Sequence, residues 1–277
     1  MSVAKIYVEG KMDLRILKAT LALLPRNPEV NQKGSKDDLP HMVRRELKDN
    51  PNLSLVYLRD RDFDSAPVFP TPSSPHEIKD KDGIVQGYRW QRHEIESYLL
   101  TPALVEAAFG VPAAETEAAL ITAAGQIQDY QSARWAMGQT RQSCRAVGTL
   151  QTRPADLGDF RLPPDISAKG SLDWLTRTQT IHFSAYASAL DADAMTALFT
   201  GYQKKFAALT TAEQFLIWFS PKDLLAAMSD WRRLPKINAP QPHDFCNKLA
   251  SWLENGNGLR FFDLVPEAEA LSKLLTT

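Results

Sequence analysis

Three short acidic stretches carry most of the chemistry this sequence offers. They are Val8-Glu9-Gly10-Lys11-Met12-Asp13, Asp60-Arg61-Asp62-Phe63-Asp64 and Glu94-Ile95-Glu96. Residues two apart on an extended segment point to the same side, so Asp60 and Asp62 are expected to face one point with Arg61 turned away, and Glu94 and Glu96 to do the same. Glu9 and Asp13 meet if one helical turn separates them. Carboxylates held this close repel one another unless a cation sits among them. Hard oxygen donors with no His or Cys nearby favour Mg²⁺ or Mn²⁺ over zinc. Two such ions about 4 Å apart stabilise both the attacking and the leaving oxygen of a phosphate displacement, which makes phosphodiester cleavage the expected chemistry. The expected ligands are Glu9, Asp13, Asp60, Asp62 and Glu96. Glu96 is preferred to Glu94, although acids at a helix N-terminus are favoured without any metal. Each stretch alone is an ordinary surface turn. It is their joint occurrence, each beside a strand, that points to a site.

The elements around these stretches read as a parallel sheet. Residues 5–8 form a short β-type run that stops at Glu9-Gly10, and Leu14, Leu17, Leu21 and Leu24 follow at helical spacing until Pro25 and Pro28. A short strand is expected at residues 29–32, a helix over 37–48, and the best strand of the chain at 53–58, running straight into Asp60. The order β-α-β-α-β argues for an α/β fold, a parallel sheet covered by helices. In such sheets, sites gather beyond the C-terminal ends of the strands. Residues 65–82, with four prolines, read as an irregular exposed loop, residues 84–90 as a strand, and 93–100 as the start of a helix continuing past Pro102. Residues 103–210 are Ala-rich and mostly helical, with breaks near Gly110, Gly148, residues 153–164 and Gly170. The apolar run 215–219 reads as a strand, 222–230 as a helix started by Pro221, 235–242 as a linker, and 243–254 and 266–275 as closing helices.

The bulk composition limits the alternatives. The 33 acidic and 32 basic side chains nearly cancel, so contact with nucleic acid must come from a local basic patch or a partner. Two distant cysteines, Cys144 and Cys246, form no C-x-x-C pattern and fit a reducing compartment. No signal-like N-terminus and no membrane-length apolar stretch is legible, so a cytoplasmic chain is expected. The five histidines show no zinc-ligand spacing. His93, beside the third acidic stretch, could act as acid or base, but a structural role is the plainer reading. Trp135, Trp174, Trp218, Trp231 and Trp252 are expected in cores. Ser35 and Lys36 after Gly34 could touch a phosphate, on slight grounds.

The acidic stretches resemble the Toprim domain of topoisomerases, DnaG-type primases, RecR-type proteins and OLD-family nucleases, whose pattern is a Glu after the first strand and an Asp-x-Asp after the third. Glu9 and Asp60/Asp62 match it, and Val8-Glu9-Gly10-x-x-Asp13 with His93 to Leu100 looks closest to the DUF4435 and OLD-like nuclease branch. The resemblance covers about the first hundred residues, with Lys222 in Ser220-Pro221-Lys222 as a further match. It implies a Toprim-like Rossmannoid core over residues 1–102, a helical insertion over 103–210, a possible return to the core over 211–234 and C-terminal helices over 235–277. It implies catalytic roles for Glu9, Asp60, Asp62 and Lys222, the lysine stabilising charge on the phosphate. Lys11, Arg59, Arg61 and Arg92 lie beside the acids and are candidates for flanking phosphates. Substrates would be DNA or RNA, tRNA included, and a homodimer is allowed. Members of this branch work beside an ABC-type ATPase in phage defence, as in PARIS. This chain has no G-x-x-x-x-G-K-[ST] loop, so an ATPase would be a separate chain. Two rivals stay open: a non-catalytic Toprim scaffold, and a primase-like nucleotidyl transferase.

Overall fold

The computed structural model describes residues 2–35, 37–63, 65–68, 72–148, 165 and 167–276. Lys36, Asp64 and the expected break at 153–164 lie outside the described residues. Contacts divide the chain into two compact units, residues 1–131 with 208–277, and residues 132–207.

The first unit is built on a five-stranded sheet. Its strands are β1 (Lys5–Val8), β2 (Glu29–Gln32), β3 (Leu55–Arg59), β4 (His76–Lys79) and β5 (Val85–Arg89), in the order β2-β1-β3-β5-β4. All neighbours pair in parallel except β4, which runs antiparallel to β5 at one edge. Val8, Val56 and Leu58 are buried, as strands covered on both faces require.

Helix α1 (Lys11–Leu21) links β1 to β2, and α2 (Leu39–Asp49) carries the chain back across β1 to β3. Crossovers between parallel strands are right-handed, so this reversal puts the two helices on opposite faces. Helix α2 covers the face of Tyr7, Leu55 and Tyr57, into which Leu39 and Val43 pack. The reversal makes a topological switch point between β1 and β3, where open α/β sheets bind ligands.

After the sheet come the short helix α3 (Glu96–Leu99), α4 (Pro102–Phe109) and the long α5 (Ala113–Val147). The second unit contains α6 (Ala168–Ala189) and α7 (Ala192–Ala207) with the later part of α5. Within it Trp135 is fully buried and stacks on Tyr202 at 5.5 Å. The chain then returns to the first unit with α8 (Ala212–Trp218), α9 (Pro221–Ala227), α10 (Ser229–Arg232) and α11 (Pro242–Trp252). A single π-type turn, Leu253–Asn257, leads into α12 (Gly258–Leu264), and α13 (Pro266–Thr276) closes the chain. Helices α11 and α12 pack on α1.

Several expectations need correction. Residues 76–79 form an edge strand inside the stretch read as loop. The run at 215–219 is mostly helix α8, because Thr211 and Gln214 make a reciprocal capping box that starts a helix just before it. A run buried on all sides has no period to tell helix from strand. The helix at the third acidic stretch stops at Leu99, and Pro102 opens a new one instead of being spanned. Gly170 lies inside α6. Helix α12 was not expected. The all-helical segment expected from residue 103 divides, since residues 103–131 belong to the first unit.

Candidate metal centre

The acidic stretches sit beyond the C-terminal ends of β1, β3 and β5, around the switch point. Glu9 follows β1 directly, and Gln32 Nε2 donates to its carbonyl at 3.0 Å. Asp13 lies in the first turn of α1 and is 4% exposed. Its carboxylate folds back over Gly10, where a Cβ would stand 2.5 Å from Oδ2. Only glycine leaves that space, so Gly10 is where the strand end and the Asp13 carboxylate are brought together.

The carboxylates feel one another strongly. Burial, followed by the charges of Glu96 and Glu9, pushes the Asp13 carboxyl from 3.8 up to about 7, against partial relief from its own N–H and the Trp90 indole. Asp60 is raised well above its usual range by burial and then by Asp13, Glu94, Asp62 and Glu96. Its Oδ1 is buried and has no hydrogen-bond partner. Glu96 is raised as well, by burial above all, although Lys222 counteracts. Three segments far apart in sequence therefore place carboxylates within one another's field.

A second group adjoins the first. Ligand atoms of Asp62, His93 and Glu94 all lie within 4.8 Å of one another, close enough to share one cation. His93 and Glu94 are buried, and His93 Nδ1 is 3.5 Å from Glu94 Oε1. Burial lowers the His93 pKa and favours the neutral imidazole, the form that ligates metals. Burial would raise Glu94, but His93 and Lys222 outweigh it and hold its carboxyl at about 2. The exposed Lys222, at the start of α9, pairs with Glu94 and stands 3.7 Å from Glu96. Partial desolvation would lower its ammonium pKa, but the charges of Glu96, Glu94 and Asp60 outweigh it and raise the pKa.

The loops are tied to each other by the backbone. The N–H groups of Arg61 and Asp62 both donate to the His93 carbonyl, each at 3.1 Å. Asp62 takes a left-handed backbone with φ 51°. The segment after β3 is thus not extended at Asp62, although the charge of Asp62 still reaches Asp60. Asp60 feels Asp13, Glu94, Asp62 and Glu96, in that order, and Asp62 also offers a ligand atom within 4.8 Å of those of His93 and Glu94.

Two expected phosphate binders are structural. Arg61 is 2% exposed and donates to the carbonyls of Gln91 and Ser65, each at 2.8 Å, and to that of Ile217. It clamps the β3 loop to the β5 loop and to α8, so it is not open to substrate. Arg92 is also buried, with donors to the Ser97 carbonyl, Thr101 Oγ1 and Glu213. Lys11 is exposed at the start of α1, beside the cluster.

Other contributors were not legible beforehand. Glu267, in the first turn of α13, is buried. It accepts the Gln91 N–H at 2.7 Å and the Tyr98 hydroxyl. Burial raises its carboxyl to about 7. Tyr98 lies 4.8 Å from Trp90, whose indole faces Asp13. Glu267 therefore fixes both ends of the segment that carries His93, Glu94 and Glu96. Cys246 of α11 lies near Glu96 and Glu94, and burial pushes its thiol up to about 12, so it is an inert wall of the site. An acidic residue inside a helix 170 positions away offers no sequence signal. His93, next to Glu94, could have been promoted on proximity alone.

The chain matches no protein-family model and no curated protein. The site therefore rests on its geometry: a mostly parallel α/β sheet with an Asp/His/Glu cluster able to hold a divalent cation. Among the described residues no helix is long and apolar enough to cross a membrane.

Proposed function

We propose that the chain is a Toprim-type, metal-dependent nuclease of the OLD-like branch, acting on DNA or RNA under the control of a separate ABC-type ATPase in phage defence. The observation that carries this reading is that Asp62, His93 and Glu94 hold ligand atoms within 4.8 Å of one another, while Asp13, Asp60 and Glu96 are raised by burial first and then by neighbouring carboxylates, an arrangement costly to keep without a cation. The donors fit a hard cation, since Glu9, Asp13, Asp60, Asp62, Glu94 and Glu96 supply oxygens. One nitrogen, from His93, tilts the preference from Mg²⁺ towards Mn²⁺. Such cations would supply positive charge for the attacking and leaving oxygens of a phosphate displacement.

The chain's own groups do the rest. Asp13, raised to about 7, gives up its remaining proton when the site is filled, and Gly10 keeps room for its carboxylate. The Arg61 clamp and Glu267 hold the three loops in register. Lys222 can leave Glu94 because it is exposed, and its ammonium then faces the charge that builds on the phosphate. The ATPase enters this reading through the family resemblance, and it would be a separate chain because this one has no phosphate-binding loop. The test is incubation of the chain with Mn²⁺ or Mg²⁺ and labelled DNA or tRNA, alone and with the ATPase encoded beside it. Metal-dependent cleavage lost in Asp60→Asn is expected. Metal binding without cleavage of either substrate, with or without the ATPase, would favour the non-catalytic scaffold.

A further inference from the structure

Lys222 reaches the acids from a helix that its own sequence fixes poorly. Helix α9 has seven residues, about 10 Å of helix, too short to be stable alone. Its N-cap, Ser220, makes no side-chain capping bond, and Pro221 brings no N–H to the first turn. Leu224 and Leu225 are buried, and the helix packs on α3, α10 and α11. Apolar contact of this kind is non-directional and leaves a short helix free to slide or turn slightly.

The start of α9 is fixed by a side chain from another helix. Gln131, in the middle of α5, is fully buried. Its Nε2 donates to Asp223 Oδ2 at 2.6 Å, and its Oε1 accepts the Ser220 N–H at 3.1 Å. Both ends of the amide are used, as a buried amide requires. The two groups it holds lie on either side of Pro221-Lys222, so one planar group brackets the lysine. All of these residues belong to the first unit. Hydrogen bonds weaken steeply away from their preferred angle, and a bond to a carboxylate is of the stronger, charge-assisted kind. A shift of α9 against α5 therefore strains both bonds at once. From this start Lys222 pairs with Glu94 and stands 3.7 Å from Glu96, which lies on α3.

We infer that Gln131 is a positioning residue for Lys222: by holding Ser220 and Asp223 it sets where the ammonium stands against the metal-binding acids. The inference rests on the nuclease reading for what Lys222 does, and on the hydrogen bonds alone for where Gln131 holds it. Because Gln131 acts through the lysine, its effect on rate is bounded by the lysine's own. Misplacing a reacting group by about 1 Å costs up to about 100-fold. The plainer role, a strut that only stabilises α5 against α9, predicts lost stability and nothing specific to Lys222.

The test is a double-mutant cycle in the full chain, read as kcat and KM for cleavage of a labelled oligonucleotide in saturating Mn²⁺, with melting temperature and Mn²⁺ affinity beside it. Gln131→Met keeps the length and removes both bonds. It should lower kcat about 10- to 100-fold and leave KM and Mn²⁺ affinity within about threefold. Added to Lys222→Met, it should lower the residual rate less than about twofold further. The exchange Gln131→Glu/Asp223→Asn rebuilds both bonds, the Glu carboxylate accepting from the Ser220 N–H and from the Asn amide. It should recover most of the rate that Gln131→Glu alone loses, a comparison that stands even if Gln131→Met does not fold. Losses that multiply in the double variant, or a rate that falls only as far as melting temperature does, would make Gln131 a strut. A second readout needs no catalysis. Carbodiimide coupling of the Lys222 amine to Glu94 or Glu96 in chelator, read by peptide mass spectrometry, should fall about threefold or more in Gln131→Met and return in the exchange variant. Coupling indifferent to Gln131, or absent in the parent, would overturn the inference even in a chain that cleaves nucleic acid. Coupling that depends on Gln131 in a chain that cleaves nothing under any metal would sink the nuclease reading and leave the positioning.

Discussion

Replacing Asp13 by Asn should stabilise the chain when no metal is present. The Asp13 carboxyl moves from 3.8 to about 7 on folding, through burial and then the charges of Glu96 and Glu9. At about 1.36 kcal/mol per pH unit, this difference costs the folded state about 4 kcal/mol once both forms are ionised. The sign follows from the direction of the shift. Below about pH 4 the residue is protonated in both states and costs nothing. As pH rises towards 7 the unfolded chain ionises first, and stability is lost until the folded carboxyl ionises too. Asparagine keeps the shape and removes the charge, but it replaces one carboxylate oxygen by an N–H₂ donor and leaves only a neutral acceptor for Trp90, so a gain of roughly 1–3 kcal/mol at pH 8 is expected. For a domain of this size, that gain would raise the melting temperature by about 2–4 °C per kcal/mol. The assay is urea and thermal unfolding of parent and variant at pH 5 and pH 8, in chelator and in Mn²⁺. In chelator the gain should be large at pH 8 and small at pH 5. In saturating Mn²⁺ the order should invert, because ligand at about 100 times its dissociation constant stabilises the parent by about 2.7 kcal/mol. A variant less stable than the parent at pH 8 in chelator, with an unchanged pH slope, would refute a buried Asp13 carboxyl raised by burial and by Glu96 and Glu9.

Glu267→Gln should flatten the fall in stability between about pH 4.5 and 7. The raised Glu267 carboxyl favours folding below that window and loses the advantage as it ionises, so equal pH slopes in urea titrations of parent and variant would count against this role. Arg61→Leu should cost about 3–5 kcal/mol, since it strips the donor from buried carbonyls at Gln91, Ser65 and Ile217; a change under about 1 kcal/mol in a denaturant titration would rule out the clamp. Lys222→Met should lower metal-dependent cleavage by about 10²–10³ and change stability by less than about 1 kcal/mol, the lysine being exposed. Activity that falls only as far as melting temperature does would make Lys222 merely structural.

The parallel order of the first three strands was legible because each apolar run ended at a turn and was followed by helical spacing or a break. The antiparallel edge strand β4 was hidden among prolines. Helix α8 looked like a strand because its apolar residues show no period once every face is buried. At the site, the types and order of the acids could be read, but their partners could not. A two-residue alternation grouped Asp60 with Asp62, and the left-handed backbone at Asp62 replaces that alternation while the charge of Asp62 still reaches Asp60. Arg61 and Arg92 looked like substrate binders beside acids. Only burial shows their donors committed to backbone carbonyls and neighbouring side chains. Glu267 and Cys246 come from the last quarter of the chain and become neighbours of the site only in three dimensions. The helical unit at residues 132–207 carries no motif legible in the sequence.

The most direct measurement is a calorimetric titration of the full chain with Mn²⁺ at pH 7.5, beside Asp60→Asn and Glu94→Gln. Saturable binding that releases protons is expected for the parent, because Asp13, raised to about 7, keeps part of its proton until a cation arrives, and each substitution should weaken it by tenfold or more. Absence of binding, or binding untouched by either substitution, would contradict a cation held jointly by the three strand ends.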